Sequence, residues 1–155
     1  MSVWVKDPRL KSSNLIIISK CLLNLNKELV DELSKKGILL TVCPEEEMAD
    51  YTTKIATIIK CSKPESITIV TNEGSPHCYL VHAYANQAVF ITGSNIPIRH
   101  YVVVGGGKVY EVLSDSIRIA RYLHLVDKLV RRHPDILAEL EKYSIEYKMA
   151  NKLDK

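Results

Sequence analysis

Ser66-Ile67-Thr68-Ile69-Val70 runs through Thr71-Asn72-Glu73 into Gly74-Ser75-Pro76-His77-Cys78, and an apolar-periodic run follows from Tyr79 to Ala85. The first part has the β-branched composition of a strand, and the last has the spacing of a helix. Ser75 suits the N-cap and Pro76 the first helical position. A strand that turns tightly into a helix brings the free N–H groups of the helix to the mouth of the turn. Cys78 then falls in the first turn, where the positive end of the helix favours thiolate over thiol. Such a cysteine is a nucleophile, a metal ligand or a small buried residue, and the remainder of the chain decides among them.

Working outward, the same strand-then-helix alternation recurs. Asn14 to Ser19 is a short continuous apolar run, the pattern of a strand buried on both faces, with Cys21 just after it. Asn26 can cap a helix carrying Leu29, Val30 and Leu33, with Gly37 as its C′ stop. Ile38 to Val42 reads as a second buried strand, followed at once by Cys43-Pro44-Glu45. A second helix should place Met48, Thr52, Ile55, Ile58 and Ile59 on one face and end near Lys60-Cys61.

Beyond the third helix, Ala88 to Ile91 reads as a fourth strand and Gly93-Ser94-Asn95 as a loop. Ile98 to Val104 is a longer strand. Gly105-Gly106-Gly107 allows a reversal into Lys108 to Leu113 as its hairpin partner. Ser114 or Asp115 caps a helix carrying Ile117, Ala120, Leu123, Val126 and Val130, which His133-Pro134 breaks. A last amphipathic helix runs from Asp135 towards Met149, with Asn151 to Lys155 as a frayed tail. Strands alternating with helices imply a three-layer, Rossmann-like or flavodoxin-like α/β fold. The sheet is mostly parallel, with helices on both faces, an antiparallel hairpin at one edge and C-terminal helices. Residues 1–155 read as one such domain.

Composition narrows the function classes. The chain has 155 residues, 46% hydrophobic and 25% charged, with a formal net charge of +3. That charge is too small, and too little interleaved with aromatics, to argue for a nucleic acid polymer as partner. No apolar run approaches the length of a membrane span. The first 13 residues carry Lys6, Asp7 and Arg9 and no apolar core, unlike a signal peptide, so a cytoplasmic setting is expected. Four cysteines in a reducing compartment point to ligands, catalytic thiols or core packing before disulfides.

Topology separates those four. In a parallel sheet, the loops that follow strands share one end, and ligands bind there. Cys21, Cys43 and Cys78 each follow a strand and should converge. Cys61 ends a helix and precedes a strand, so it belongs at the opposite end, roughly 20 Å from Cys43 for a helix of about 14 residues. Three soft donors suit zinc or an iron–sulfur cluster. For zinc, His77 and His82 are the nearby fourth ligands. Packing of three cysteines near strand ends is the plainer alternative.

Lys20-Cys21-Leu22-Leu23, Val42-Cys43-Pro44-Glu45 and Ser75-Pro76-His77-Cys78 together resemble the three signatures of the thiouracil desulfurase family. Those are strand-Cys-Leu-Leu, strand-Cys-Pro-Glu and Ser-Pro-Ser-Cys, in the same order. The resemblance covers residues 14–80; His77 stands where the family has serine, and Asn72-Glu73-Gly74 replaces its basic residues. It implies that Cys21, Cys43 and Cys78 bind a 4Fe-4S cluster. It also implies that the free iron takes sulfur from a small-molecule thio-substrate such as a thiolated nucleobase, with Glu45 and Ser75 as catalytic residues. On their own, Glu45 is equally a first-turn carboxylate favoured by the helix dipole, Ser75 a plain N-cap, His77 a solvated side chain and His82 a structural one. A non-catalytic iron–sulfur or zinc module, a metal-free binding domain and a homo-oligomer remain open readings. Gly105 to Gly107 lacks phosphate-loop spacing and joins strand to strand.

Overall fold

Branched aliphatic residues dominate the central strands, and their burial sets the architecture. The computed structural model describes residues 1–105 and 107–153, the side chains of 151–153 excepted. It forms two compact units, Met1–Ser114 and Asp115–Lys155. In the first, strands β1 (Asn14–Ser19), β2 (Ile38–Val42), β3 (Ser66–Asn72), β4 (Ile98–Val104) and β5 (Lys108–Val112) build one sheet. Their order is β2-β1-β3-β4-β5. All neighbours are parallel except the β4–β5 pair, which is antiparallel. The α/β architecture with an antiparallel edge matches the expectation from the sequence.

β1 is an interior strand between β2 and β3, with Leu15 to Ser19 all buried. Burying each such Leu or Ile contributes about 1.5–3 kcal/mol, enough to offset the backbone entropy of ordering it. Helices α4 (Thr52–Ser62) and α5 (Pro76–Thr92) cover one face. There Ile55, Ile58, Val81 and Ala85 pack on Leu15, Ile17, Ile67 and Ile69. On the other face, short α1 (Leu22–Leu25) and α2 (Lys27–Ser34) bring Leu22, Leu29 and Leu33 against Ile16, Ile18 and Val70. Within this unit, the same face carries a groove of about 700 Å³ between α2 and the sheet, lined by Ile16, Leu33, Thr68, Val70, Arg99 and Tyr101 among others.

Five local expectations need correction. Ala88 to Ile91 is helix, not strand: α5 continues to Thr92 and ends at Gly93 in the left-handed region, φ 58°. Asn86 and Gln87 do not break a helix, and Ala88 is needed in the core. The second helix is divided, because Met48 adopts φ 46° between α3 (Pro44–Glu47) and α4; Met48 is exposed rather than on the packed face. Gly37 does not act as a left-handed helix stop, since α2 ends at Ser34. Its role is close approach: a Cβ there would lie 2.1 Å from the Asn14 carbonyl oxygen.

The second unit holds α6 (Ser114–Ile119), α7 (Leu123–Arg132), α8 (Asp135–Tyr143) and α9 (Ile145–Leu153); Ser114 itself closes the first unit. The single helix expected from Ser114 to Val130 is thus two, parted where Tyr122 leaves helical geometry at φ −116°, ψ 83°. The last helix is also two, because Ser144 turns extended and its hydroxyl accepts from Tyr147 N at 3.0 Å, capping α9. Of the expected frayed tail, Asn151 to Leu153 is helical backbone, and Asp154 and Lys155 lie outside the described residues. Gly106, in the expected reversal, lies outside them too.

Candidate functional site at the carboxyl end of the sheet

Three adjacent strands, β2, β1 and β3, end side by side, and each delivers a cysteine. Ser19 pairs with Val42 in register, and Lys20 N donates to Val42 O at 2.8 Å, so the chain after β1 emerges level with that after β2. Cys21 follows as the residue that precedes α1, exposed; Cys43 precedes α3, half-buried. Gly74, at φ 88°, makes the turn after β3 that a side chain would strain. Ser75 then caps α5, its Oγ accepting from Cys78 N at 3.5 Å, with Pro76 at the start of the helix. Cys78 is half-buried in that first turn. The β1/β3 boundary is where the strand order reverses, the position at which open α/β sheets take ligands.

Cys61 lies in the last turn of α4, before β3, and is exposed at the opposite end of the sheet.

Cys78 senses the other two thiols. Burial pushes the Cys78 thiol up, and the charges of Cys21 and then Cys43 push it further, while hydrogen bonds from Ser75 and Ser19 act in the other direction. Desolvation and like charge thus oppose the thiolate that the helix N-terminus favours at Cys78. A cation bound among the three would reverse that balance. The donor set is soft and suits an iron–sulfur cluster or zinc. In the present conformation, no group of three or more His, Cys, Asp or Glu among the described residues is drawn together closely enough to hold a metal ion.

Asn72 and Ser19, to which the sequence assigns no role, complete the site. Asn72, the last residue of β3, reaches back to β1: its Nδ2 donates to Cys21 Sγ at 2.9 Å, and its N–H donates to Ser19 Oγ at 3.2 Å. Ser19 is itself buried. The only sequence signal for Asn72 is an amide at the strand end beside the motif. Glu45, in the first turn of α3, and His77, in the first turn of α5, meet across the mouth, with Nδ1 3.7 Å from Oε2. Lys20 Nζ bonds both Glu46 oxygens, at 2.6 and 2.7 Å, tying the first two loops together. Glu46, chiefly through its hydrogen bond, raises the Lys20 pKa.

Below Cys78, one helical turn on, His82 is buried in a hydrogen-bonded chain between α5 and the sheet. Thr71 Oγ1 lies 2.8 Å from His82 Nε2, His82 Nδ1 is 3.0 Å from His100 Nδ1, and His100 Nε2 is 3.2 Å from Asn86 Oδ1. With the Asn86 oxygen accepting, His100 carries its proton on Nε2, His82 on Nδ1, and the Thr71 hydroxyl donates. Both imidazoles are then neutral. Burial, reinforced by His100, lowers the His82 pKa to about 3. His82 is thus committed to this buried chain.

No helix among the described residues is long and apolar enough to cross a membrane. No curated protein and no solved structure is significantly similar to the chain. A family model described as a Rossmann-like domain matches residues 7–154, and with nearly its whole length covered, the chain belongs to the Rossmann-like domain family.

Proposed function

We propose that this Rossmann-like domain is an iron–sulfur enzyme that removes sulfur from a small thio-compound such as a thiolated nucleobase. What supports the reading is that Cys21, Cys43 and Cys78 follow the neighbouring strands β1, β2 and β3, with Cys21 and Cys43 near enough to raise the pKa of Cys78. The resemblance of the three cysteine motifs to the desulfurase signatures adds the reaction class. Cys21, Cys43 and Cys78 would each hold one iron of a 4Fe-4S cluster, which supplies a fourth, Lewis-acidic iron able to accept sulfur. Asn72 orients Cys21 through its Nδ2, and Ser19 steadies both Asn72 and Cys78. Exposed Glu45 and half-buried His77, 3.7 Å apart, would pass a proton at the mouth to the substrate nitrogen or the departing sulfur. Ser75 caps α5 and presents its hydroxyl beside Cys78. Water replaces the sulfur, a thiocarbonyl becoming a carbonyl with sulfide released and no net redox change.

The test is iron and acid-labile sulfide per chain after anaerobic reconstitution, for the wild type beside Cys78→Ala and Cys61→Ala. About four of each in the wild type, lost in Cys78→Ala and kept in Cys61→Ala, is the expected result. Sulfide release from a thiolated base by the loaded wild type then completes the assignment. Absence of bound iron in every sample overturns it and leaves a metal-free binding domain.

A further inference from the structure

α5 carries Cys78 to the site, yet its apolar residues do not settle how the helix should roll. Val81, Ala85 and Ala88 are buried against the sheet, while the bulkier Phe90 and Ile91 stay out of that core. Contacts between small apolar side chains are non-directional, so they hold a helix onto a sheet without fixing its rotation or its height along the strands. A hydrogen bond demands both distance and angle, and inside a core it can fix both.

Of the buried polar residues of α5, Thr92 bonds its own helix, at Ala88 O and Val89 O, whereas His82 and Asn86 reach the sheet. His82 meets Thr71 on β3 and His100 on β4, at 2.8 and 3.0 Å, and Asn86 meets His100 at 3.2 Å. Cys78, His82 and Asn86 recur at intervals of four, so they form one stripe along the helix. Whatever fixes the roll of His82 and Asn86 therefore also aims Cys78. For a helix of radius about 2.3 Å, a roll of about 25° carries a Cα through about 1 Å, whereas metal–ligand distances tolerate only about 0.2 Å. The strand side of the chain is tied to the same site. Thr71 is followed by Asn72, whose Nδ2 donates to Cys21 Sγ and whose N–H donates to Ser19 Oγ. Adjacent residues of β3 thus hold α5 and the loop that bears Cys21.

We propose that the Thr71–His82–His100–Asn86 chain positions Cys78, setting the roll and height of α5 so that its thiol joins Cys21 and Cys43; this rests on the reading of those three cysteines as the iron ligands. The four are positioning residues, acting through α5 and β3. Without the Thr71 hydroxyl, His82 Nε2 would lack its partner in the core, and α5 would shift to regain one or to admit water. Half-buried Cys78 would shift with it.

The experiment compares the full-length wild type with Thr71→Val, which keeps the shape and removes the hydroxyl, and Thr71→Ser, which keeps the hydroxyl. Asn86→Ala removes the acceptor at the far end of the chain, about 12 Å along α5 from Cys78. Gly37→Ala is a destabilised control whose fault lies at the other end of the sheet. In the metal-free proteins, alkylation of Cys78 and Cys43 is timed against Cys61 of the same chain. Thr71→Val and Asn86→Ala should each speed Cys78 about 10-fold, the factor typical of losing one buried hydrogen bond, and leave Cys43 as in the wild type. Thr71→Ser and Gly37→Ala should match the wild type. On anaerobic iron loading, Thr71→Val and Asn86→Ala should retain less iron per chain, and Thr71→Ser should recover it. An unchanged Cys78 rate in whichever of Thr71→Val and Asn86→Ala folds overturns the proposal, as does failure of serine to rescue. Equal acceleration of Cys43, or of Cys78 in Gly37→Ala, also overturns it, because a generally loosened fold would do the same. A wild type that takes up no iron removes the cluster instead, and the labelling of Cys78 alone then decides whether the chain positions it.

Discussion

Asn72 Nδ2 donates to Cys21 Sγ across 2.9 Å, joining the last residue of β3 to the loop that follows β1. Hydrogen bonds to ligand sulfurs stabilise the added negative charge of a reduced cluster and so raise its potential. If Cys21 holds iron, Asn72→Ala should retain the iron but shift the midpoint to a more negative potential. A redox titration followed by electron paramagnetic resonance checks this; an unchanged midpoint would show that Asn72 serves only the fold.

The four cysteines should differ in reactivity in the metal-free protein. Burial and the neighbouring Cys21 and Cys43 charges raise the Cys78 pKa, so at pH 7 to 8 it holds less thiolate than an ordinary cysteine. Alkylation followed by mass spectrometry should find Cys61 and Cys21, both exposed, modified well before Cys78. After iron loading, Cys21, Cys43 and Cys78 should all be protected while Cys61 labels as before. Equal labelling of Cys78 and Cys61 without metal would contradict the environment described for Cys78.

Local chemistry was legible in the sequence wherever one residue settles the conformation. Ser75 and Pro76 start α5 as expected, and Asn26 Oδ1 caps α2 by accepting from Leu29 N at 3.1 Å. Ala88-Val89-Phe90-Ile91 misleads because four apolar residues suit a buried strand and a buried helix equally, and only the absence of a breaker between Ala85 and Ala88 favours the helix. Met48 in the left-handed region carries no sequence signal at all. That Cys21, Cys43 and Cys78 each follow a strand of the parallel sheet was readable because it depends only on the order of strands and helices. The Thr71–His82–His100–Asn86 chain was not, since it depends on how α5 sits over the register of β3 and β4, which pair Ile69 with His100 and Val70 with Tyr101.

Gly37 offers a test of packing away from the thiols. A Cβ at this position would lie 2.1 Å from the Asn14 carbonyl oxygen, and a backbone atom cannot move aside as a flexible side chain would. Gly37→Ala should therefore destabilise the protein by about 1–3 kcal/mol, the usual cost of overpacking. Denaturant unfolding reads the loss. Gly37 precedes β2 at the end of the sheet opposite Cys21, Cys43 and Cys78, so under the proposed function the protein that remains folded should bind as much iron as the wild type.

Acid stability should follow His82. Its folded pKa of about 3 lies below the ordinary 6.5 because burial and then His100 disfavour the imidazolium. The unfolded chain thus takes up a proton near pH 6.5 that the folded chain refuses, so the unfolded state gains as pH falls. The contribution of His82 is complete above pH 6.5, falls progressively from there towards pH 3, and amounts to on the order of 4 kcal/mol over that span. Carboxylates such as Glu47, whose pKa is lowered by its hydrogen bond to the N-terminal ammonium, lose their contribution only below the ordinary carboxylate range near pH 4.5. Denaturant midpoints between pH 7 and pH 5 therefore isolate the histidine effect. The wild type should weaken across this interval, and His82→Gln, which cannot titrate, should weaken less, whatever its stability at pH 7. Parallel profiles for the two proteins would show that the buried chain tolerates a proton and that His82 is not the residue that resists it.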